Sequence, residues 1–168
     1  MLSLSTVAEI IYIEQGAPKA IKYEQLLPQI EALLKDDRHF IGALANTSAA
    51  LHATFQHLWT GFYLVEGDQL VLGPFQGPVA CMRIAYGKGV CGTAWKDGNT
   101  IVVPDVDRFP GHIACSSESK SEIVVPLRDA EGAIKGVLDV DSAHLNAFDE
   151  TDRRYLEQLC EYLGKSLF

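Results

Sequence analysis

The chain has 168 residues, 48% of them apolar and 21% charged, with a formal charge of −8. This is the composition of one globular domain that can bury its own core and needs neither a metal nor a disulfide to fold. The acidic balance excludes non-specific binding to nucleic acid or anionic membrane, no apolar run reaches the ~20 residues of a membrane span, and the mixed, acidic segment 1–14 is unlike a signal peptide, so a cytoplasmic protein is expected.

The first 20 residues are weakly patterned and read as an N-terminal extension. From Lys19 to Leu34 apolar residues return at helical intervals, with Pro28 expected to start or kink the helix. Asp36-Asp37-Arg38 breaks the run, and a second helix is expected from about His39 to Phe55. The pattern then changes. Residues 61–65 and 69–72 read as a β-hairpin about a Gly-containing turn. Val79 to Ala85 is a third strand candidate, Val90 to Lys96 a short helix, and Thr100 to Val103 a short strand. Asp105 to Lys120 carries Gly and Pro punctuation, serine clusters and no apolar period, so it is a long loop of the kind that is often functional. Residues 122–127 and 134–141 form a second hairpin. Asp149 can cap a last helix whose stripe is Leu156, Leu159, Cys160, Leu163 and Leu167. Hairpins interrupted by helices imply an α+β fold. It would have a mostly antiparallel sheet, and 1–168 reads as a single domain.

Three of the four cysteines surround the glycine-rich middle: Cys81, Cys91 and Cys115. No pair forms a Cys-x-x-Cys step, so neither a zinc ribbon nor a thioredoxin-type motif is present, and no metal is expected. In a reducing compartment such thiols suit reversible dithiol chemistry, in which one sulfur attacks and a second resolves. Cys160, on an apolar helical stripe, reads as a core residue.

The segments Trp59-Thr-Gly-Phe-Tyr63, Gly89-Val-Cys-Gly-Thr-Ala94, Val102-Val-Pro-Asp-Val106, Gly111-His-Ile-Ala-Cys115, Ser121-Glu-Ile-Val-Val-Pro126 and Gly136-Val-Leu-Asp-Val-Asp-Ser142 together resemble the free methionine-(R)-sulfoxide reductase family of GAF domains. The resemblance covers about 40–168. It implies a GAF fold of about six strands, with helices on one face and a lid-like loop over the other. It implies reduction of free methionine-(R)-sulfoxide, with no cofactor, regeneration by thioredoxin, and a homodimer. By the same resemblance Cys115 would attack and Cys81 and Cys91 would supply the resolving disulfide. Glu122, Asp139 and Asp141 would hold the substrate, and Trp59 and Tyr63 would pack about its methyl end.

The residues support that chemistry in their own right. Thiolate attack on a sulfoxide needs a proton on the leaving oxygen, hence a carboxylic acid kept protonated, and crowded carboxylates raise one another's pKa. Asp139 and Asp141 leave one strand on the same face, and Glu122 starts the neighbouring strand, so the three can converge. Trp59 and Tyr63 also share a face. Cys91, near a helix start, is expected to favour the thiolate. His112 reads as a loop polar residue or hydrogen-bond partner, with help to the Cys115 thiolate as the alternative. Two other functions fit the same chain. One is a small-ligand GAF sensor, because Asn146-Ala-Phe-Asp-Glu150 is similar to a nucleotide-binding signature. The other is a redox-regulated interaction protein.

Overall fold

The computed structural model describes residues 10–113 and 115–168; the first nine residues of the expected extension lie outside the described residues. Residues 10–18 have no regular structure. They run along the first helix, where the Gln29 and Gln25 side chains accept from the backbone N–H groups of Tyr12 and Glu14.

The elements in order are α1 (Lys19–Leu34), α2 (Phe40–Phe55), β1 (Trp59–Glu66), β2 (Gln69–Gln76), β3 (Arg83–Ala85), α3 (Gly89–Asp97), β4 (Ile101–Val103), a 3-10 turn (Val106–Arg108), β5 (Ser121–Arg128), β6 (Ile134–Ser142) and α4 (Glu150–Leu167). The six strands form one sheet in the order β3-β2-β1-β6-β5-β4, with every neighbouring pair antiparallel.

Strand alternation divides the interior in two. Phe62, Ile123, Val125, Leu127, Leu138 and Val140 point to one face, where α1, α2 and α4 cover them. Trp59, Tyr63, Val103, Val124 and Val137 point to the other, with Val90, Cys91 and Ala94 of α3 packed above them. Three helices thus share one face as expected, and the fourth, α3, lies under the loops on the opposite face. Helix α4 starts at a reciprocal cap in which Asp149 and Asp152 satisfy each other's end of the first turn. It closes onto the sheet at Gly164, where a side chain would collide with the carbonyl oxygen of Arg128.

Three local expectations are corrected. Helix α1 runs through Pro28 without starting there; Pro28 is on the exposed side, where the Glu24 carbonyl that loses its i+4 donor is open to solvent. The strand expected over 69–72 continues to Gln76. Gly61 pairs with Phe75 and Tyr63 with Leu72, so Phe62 alone opposes Gly73 and Pro74, and the bulge absorbs a proline that a regular ladder would not accept. Conversely, only Arg83–Ala85 of the expected 79–85 strand is paired.

Candidate active site

The site grows out of one row of the sheet. Asp141 in β6 stands between Trp59 in β1 and Glu122 in β5, each its direct register partner, and Asp139 lies one step along on the same face. Period-2 alternation alone puts these side chains together, because the adjacent strands are antiparallel and in register. Glu122 and Asp139 are buried at 5% and 6% exposure.

No lysine or arginine pairs with these three carboxylates among the described residues. Burial, then repulsion from Asp139 and Asp141, pushes Glu122 well above the usual carboxylate range. Burial and then Asp141 do the same to Asp139. Asp141 is lifted by burial to about 6, against the pull of the Ser119 hydroxyl, which donates to its Oδ1 at 2.6 Å. Burial and mutual repulsion thus favour the protonated form across the cluster. His112 Nε2 lies 3.7 Å from Glu122 Oε2, but burial lowers the imidazole pKa. Burial thus opposes charge on both partners of this contact.

Aromatic residues wall one side. Trp59 stacks on Tyr63 with ring centroids 5.8 Å apart and on Phe75 at 5.2 Å. Its indole lies over Gly61, where even a methyl would meet Cη2 at 2.7 Å. The polar ends of both rings fasten the chain leading to the first cysteine: Trp59 Nε1 donates to the Pro78 carbonyl at 3.1 Å, and the Tyr63 hydroxyl to the Cys81 carbonyl at 2.9 Å.

The cysteines separate into two kinds. Cys81 and Cys115 are joined by a disulfide with a Cα–Cα distance of 5.5 Å, bridging the 77–82 segment to the long loop at the mouth of the cavity. Cys115 is exposed, as a sulfur on a loop should be. Cys91 is unbonded and buried on the floor, its Sγ 3.9 Å from Glu122 Oε1. The thiolate expected for Cys91 is corrected. Although it sits in the first turn of α3, burial raises its pKa well above the thiol value, and Asp139 and Glu122 raise it further. Desolvation beside carboxylates outweighs a helix terminus. Cys160 is buried in the helical core, as its stripe implied.

Cys91, Glu122 and Asp139 bring one ligand atom each within 4.8 Å of one another, a donor set able to hold a metal ion. Ser119 was missed by the sequence reading: it is one of several loop serines, and nothing local marks it as the partner of Asp141. With the disulfide closed, the space between the loops and the carboxylates is about 40 Å³. That admits a few waters or an ion rather than an amino acid.

Comparison with known proteins fixes the relationship. Residues 35–167 match the GAF domain family. GAF domain-containing protein A of Dictyostelium discoideum is 57% identical over 158 residues, covering 94% of this chain and 99% of that one. The free methionine-R-sulfoxide reductase of Escherichia coli is 47% identical over 146 residues, covering 86% and 88%. Among solved structures, the free methionine-R-sulfoxide reductase of Neisseria meningitidis, in complex with its substrate, superposes with a TM-score of 0.88 at 52% identity, covering 92% of this chain and 94% of that one. Likeness of this extent in both sequence and fold, with the three cysteines and three carboxylates gathered about one cavity, has one explanation: the chain belongs to the free methionine-R-sulfoxide reductase family of GAF domains.

Proposed function

We propose that this protein reduces free methionine-R-sulfoxide to methionine by cysteine chemistry and is regenerated by a dithiol protein of the thioredoxin type. The observation that carries the reading is the disulfide between Cys81 and Cys115 at the mouth of a cavity floored by Glu122, Asp139 and Asp141. The names of the relatives in Escherichia coli and Neisseria meningitidis support the same substrate.

The Cys115 sulfur attacks the sulfoxide sulfur. The sulfoxide oxygen, protonated by the carboxylic acid cluster, transfers to Cys115, leaving methionine and a Cys115 sulfenic acid. Cys81 then displaces that oxygen as water and closes the disulfide. An external dithiol reduces the bond by exchange, so two electrons and two protons pass from the partner to the sulfoxide in each cycle. Glu122 is the acid best suited to protonate the oxygen. It is buried, holds its proton, and faces the cysteine loop through His112. Asp139 and Asp141 bind the substrate ammonium, and the Trp59–Tyr63 wall packs about its methyl end. In the disulfide form the cavity is too small for an amino acid, so reduction of Cys81–Cys115 releases the loop and admits substrate. A closing loop also excludes methionine sulfoxide held in a polypeptide.

The test is direct. Reduced protein is incubated with dithiothreitol and each diastereomer of free methionine sulfoxide, and methionine is measured. Turnover of the R form supports the reading. Failure with both forms, or equal turnover of a peptide-bound sulfoxide, would sink it.

A further inference from the structure

We propose that the floor of the cavity is also a binding site for a thiophilic divalent cation of the zinc type, held by Cys91 Sγ, Glu122 and Asp139, and that this cation inhibits the protein.

The thiol is the distinguishing part. Cys91 is outside the disulfide, and the attack and resolving steps do not use it. The residue is 4% exposed, and its sulfur lies within 4.8 Å of ligand atoms of Glu122 and Asp139, with Cys91 Sγ to Glu122 Oε1 at 3.9 Å. Tetrahedral zinc, with bonds of about 2.0 to 2.3 Å, needs ligand atoms about 3.5 Å apart. Side-chain adjustments on the order of 1 Å would therefore close the set.

A second observation points to cation binding. Asp139 Oδ1 is buried and has no hydrogen-bond partner. A buried carboxyl oxygen without a hydrogen-bond partner is costly whether or not the group keeps its proton, and no lysine or arginine answers it among the described residues. A substrate ammonium would satisfy that oxygen, but an ammonium gains nothing from a sulfur beside it. A soft dication does. One thiolate with two carboxylates selects zinc-like ions over magnesium or calcium, which prefer oxygen alone. His112 Nε2 lies 3.7 Å from Glu122 Oε2 but outside the set of atoms mutually within 4.8 Å, so water would complete the tetrahedron.

Binding is an exchange of protons for metal. The Cys91 S–H bond breaks, an S–metal bond forms, and the proton leaves to solvent with any held by the two carboxyl groups; no electron moves. The space of about 40 Å³ left by the closed disulfide suits an ion. The site is therefore open to metal in the oxidised form as well as the reduced one. The inhibitory half of the proposal rests on the reductase reading, because the cation would occupy the carboxylates that bind substrate. The binding half does not.

The oxidised protein gives a clean test. Its only remaining thiols are Cys91 and the core residue Cys160. Titration with Co²⁺ should produce a thiolate-to-cobalt charge-transfer band in the near ultraviolet, discharged by stoichiometric Zn²⁺. The band should persist in Cys160→Ala and vanish in Cys91→Ala. X-ray absorption on the zinc-loaded wild type needs no variant and should find one sulfur at about 2.3 Å. No band at saturating Co²⁺, a band that survives Cys91→Ala, or a zinc shell with no sulfur or more than one would overturn the proposal. With the reduced protein, Zn²⁺ should compete with methionine sulfoxide. A protein that gives the band and never reduces sulfoxide would refute the reductase reading and leave the cation site standing. An active protein with no band would do the reverse.

Discussion

Glu122 and Asp141 are register partners on neighbouring antiparallel strands, two acids directly opposite each other on one buried face. Like charges so placed are destabilising, and the fold tolerates them by keeping protons on the cluster. Asp141 holds its proton up to a pKa of about 6, above the ordinary aspartate value of 3.8. An acid that binds its proton more tightly when folded stabilises the folded state at low pH. That contribution is full below the unfolded value, near 4, and is lost as pH rises through the folded value. For Asp141 the window is pH 4 to 6. For Glu122 and Asp139, whose folded values lie well above the usual range, the loss continues to higher pH.

Asp141→Asn removes one of these charges. Across pH 4 to 7 the unfolding free energy of the variant should therefore gain on that of the wild type, by on the order of 2 kcal/mol. Urea denaturation of both oxidised proteins at several pH values measures it. A difference that stays flat with pH would mean that Asp141 is ionised throughout.

The division of the cysteines sets a second expectation. Cys115→Ser should form no methionine even in a single turnover. Cys81→Ser should complete the first turnover at normal yield, then stall with a sulfenic acid that dimedone traps. Cys91→Ser should still close the Cys81–Cys115 bond, visible as a loss of two hydrogens by mass spectrometry after oxidation. Loss of the first turnover in Cys81→Ser, with retention in Cys115→Ser, would reverse the assigned roles.

Much of this site was legible in the sequence, and the reason is periodicity. Asp139 and Asp141 alternate with buried residues, as do Trp59 and Tyr63, and a two-residue repeat specifies a shared face without knowledge of the fold. The hairpin of β5 and β6 then brings Glu122 beside them. What was not legible depends on contacts distant in sequence. The start of α3 suggested an activated Cys91 thiol, but folding places that thiol under two carboxylates and away from water. The choice of Cys81 over Cys91 as partner of Cys115 follows from how the 77–82 segment is tied down by Trp59 and Tyr63, a pair of bonds with no local signature. The continuation of β2 through Pro74 needed the bulge at Phe62, which only the pairing with β1 reveals.

Cys160 supplies a control. It is buried among Leu156, Leu159 and Leu163 in the helical core, on the opposite face of the sheet from the cavity. Cys160→Ala should leave sulfoxide turnover and disulfide formation unchanged, with a stability loss of about 1 kcal/mol for the small void. A change in the yield of the Cys81–Cys115 bond would show that Cys160 takes part in thiol exchange.

Gly61 offers the sharpest test of the aromatic wall. It pairs with Asp139 across β1 and β6 and carries the Trp59 indole directly above its Cα. A methyl there would collide with Phe75 Cβ and would meet Trp59 Cη2 at 2.7 Å and the Phe75 backbone Cα at 2.9 Å, all closer than carbon atoms approach. β2 would have to move back at Phe75 and the indole to tilt away, breaking its stacks on Tyr63 and Phe75 and its bond to the Pro78 carbonyl. Gly61→Ala should therefore cost about 1–3 kcal/mol in stability, as overpacking does. It should also raise the KM for methionine sulfoxide more than it lowers kcat, because in the proposed binding mode the wall packs on the substrate's methyl end and not on the transferred oxygen. Trp59→Phe, which keeps the ring and removes the N–H donor, separates the causes. It should retain much of the substrate affinity, while the 77–82 segment loosens and the Cys81–Cys115 disulfide is reduced faster by dithiothreitol. If Gly61→Ala lowers kcat at unchanged KM, the indole is not a substrate wall, and its role is confined to holding the segment that carries Cys81.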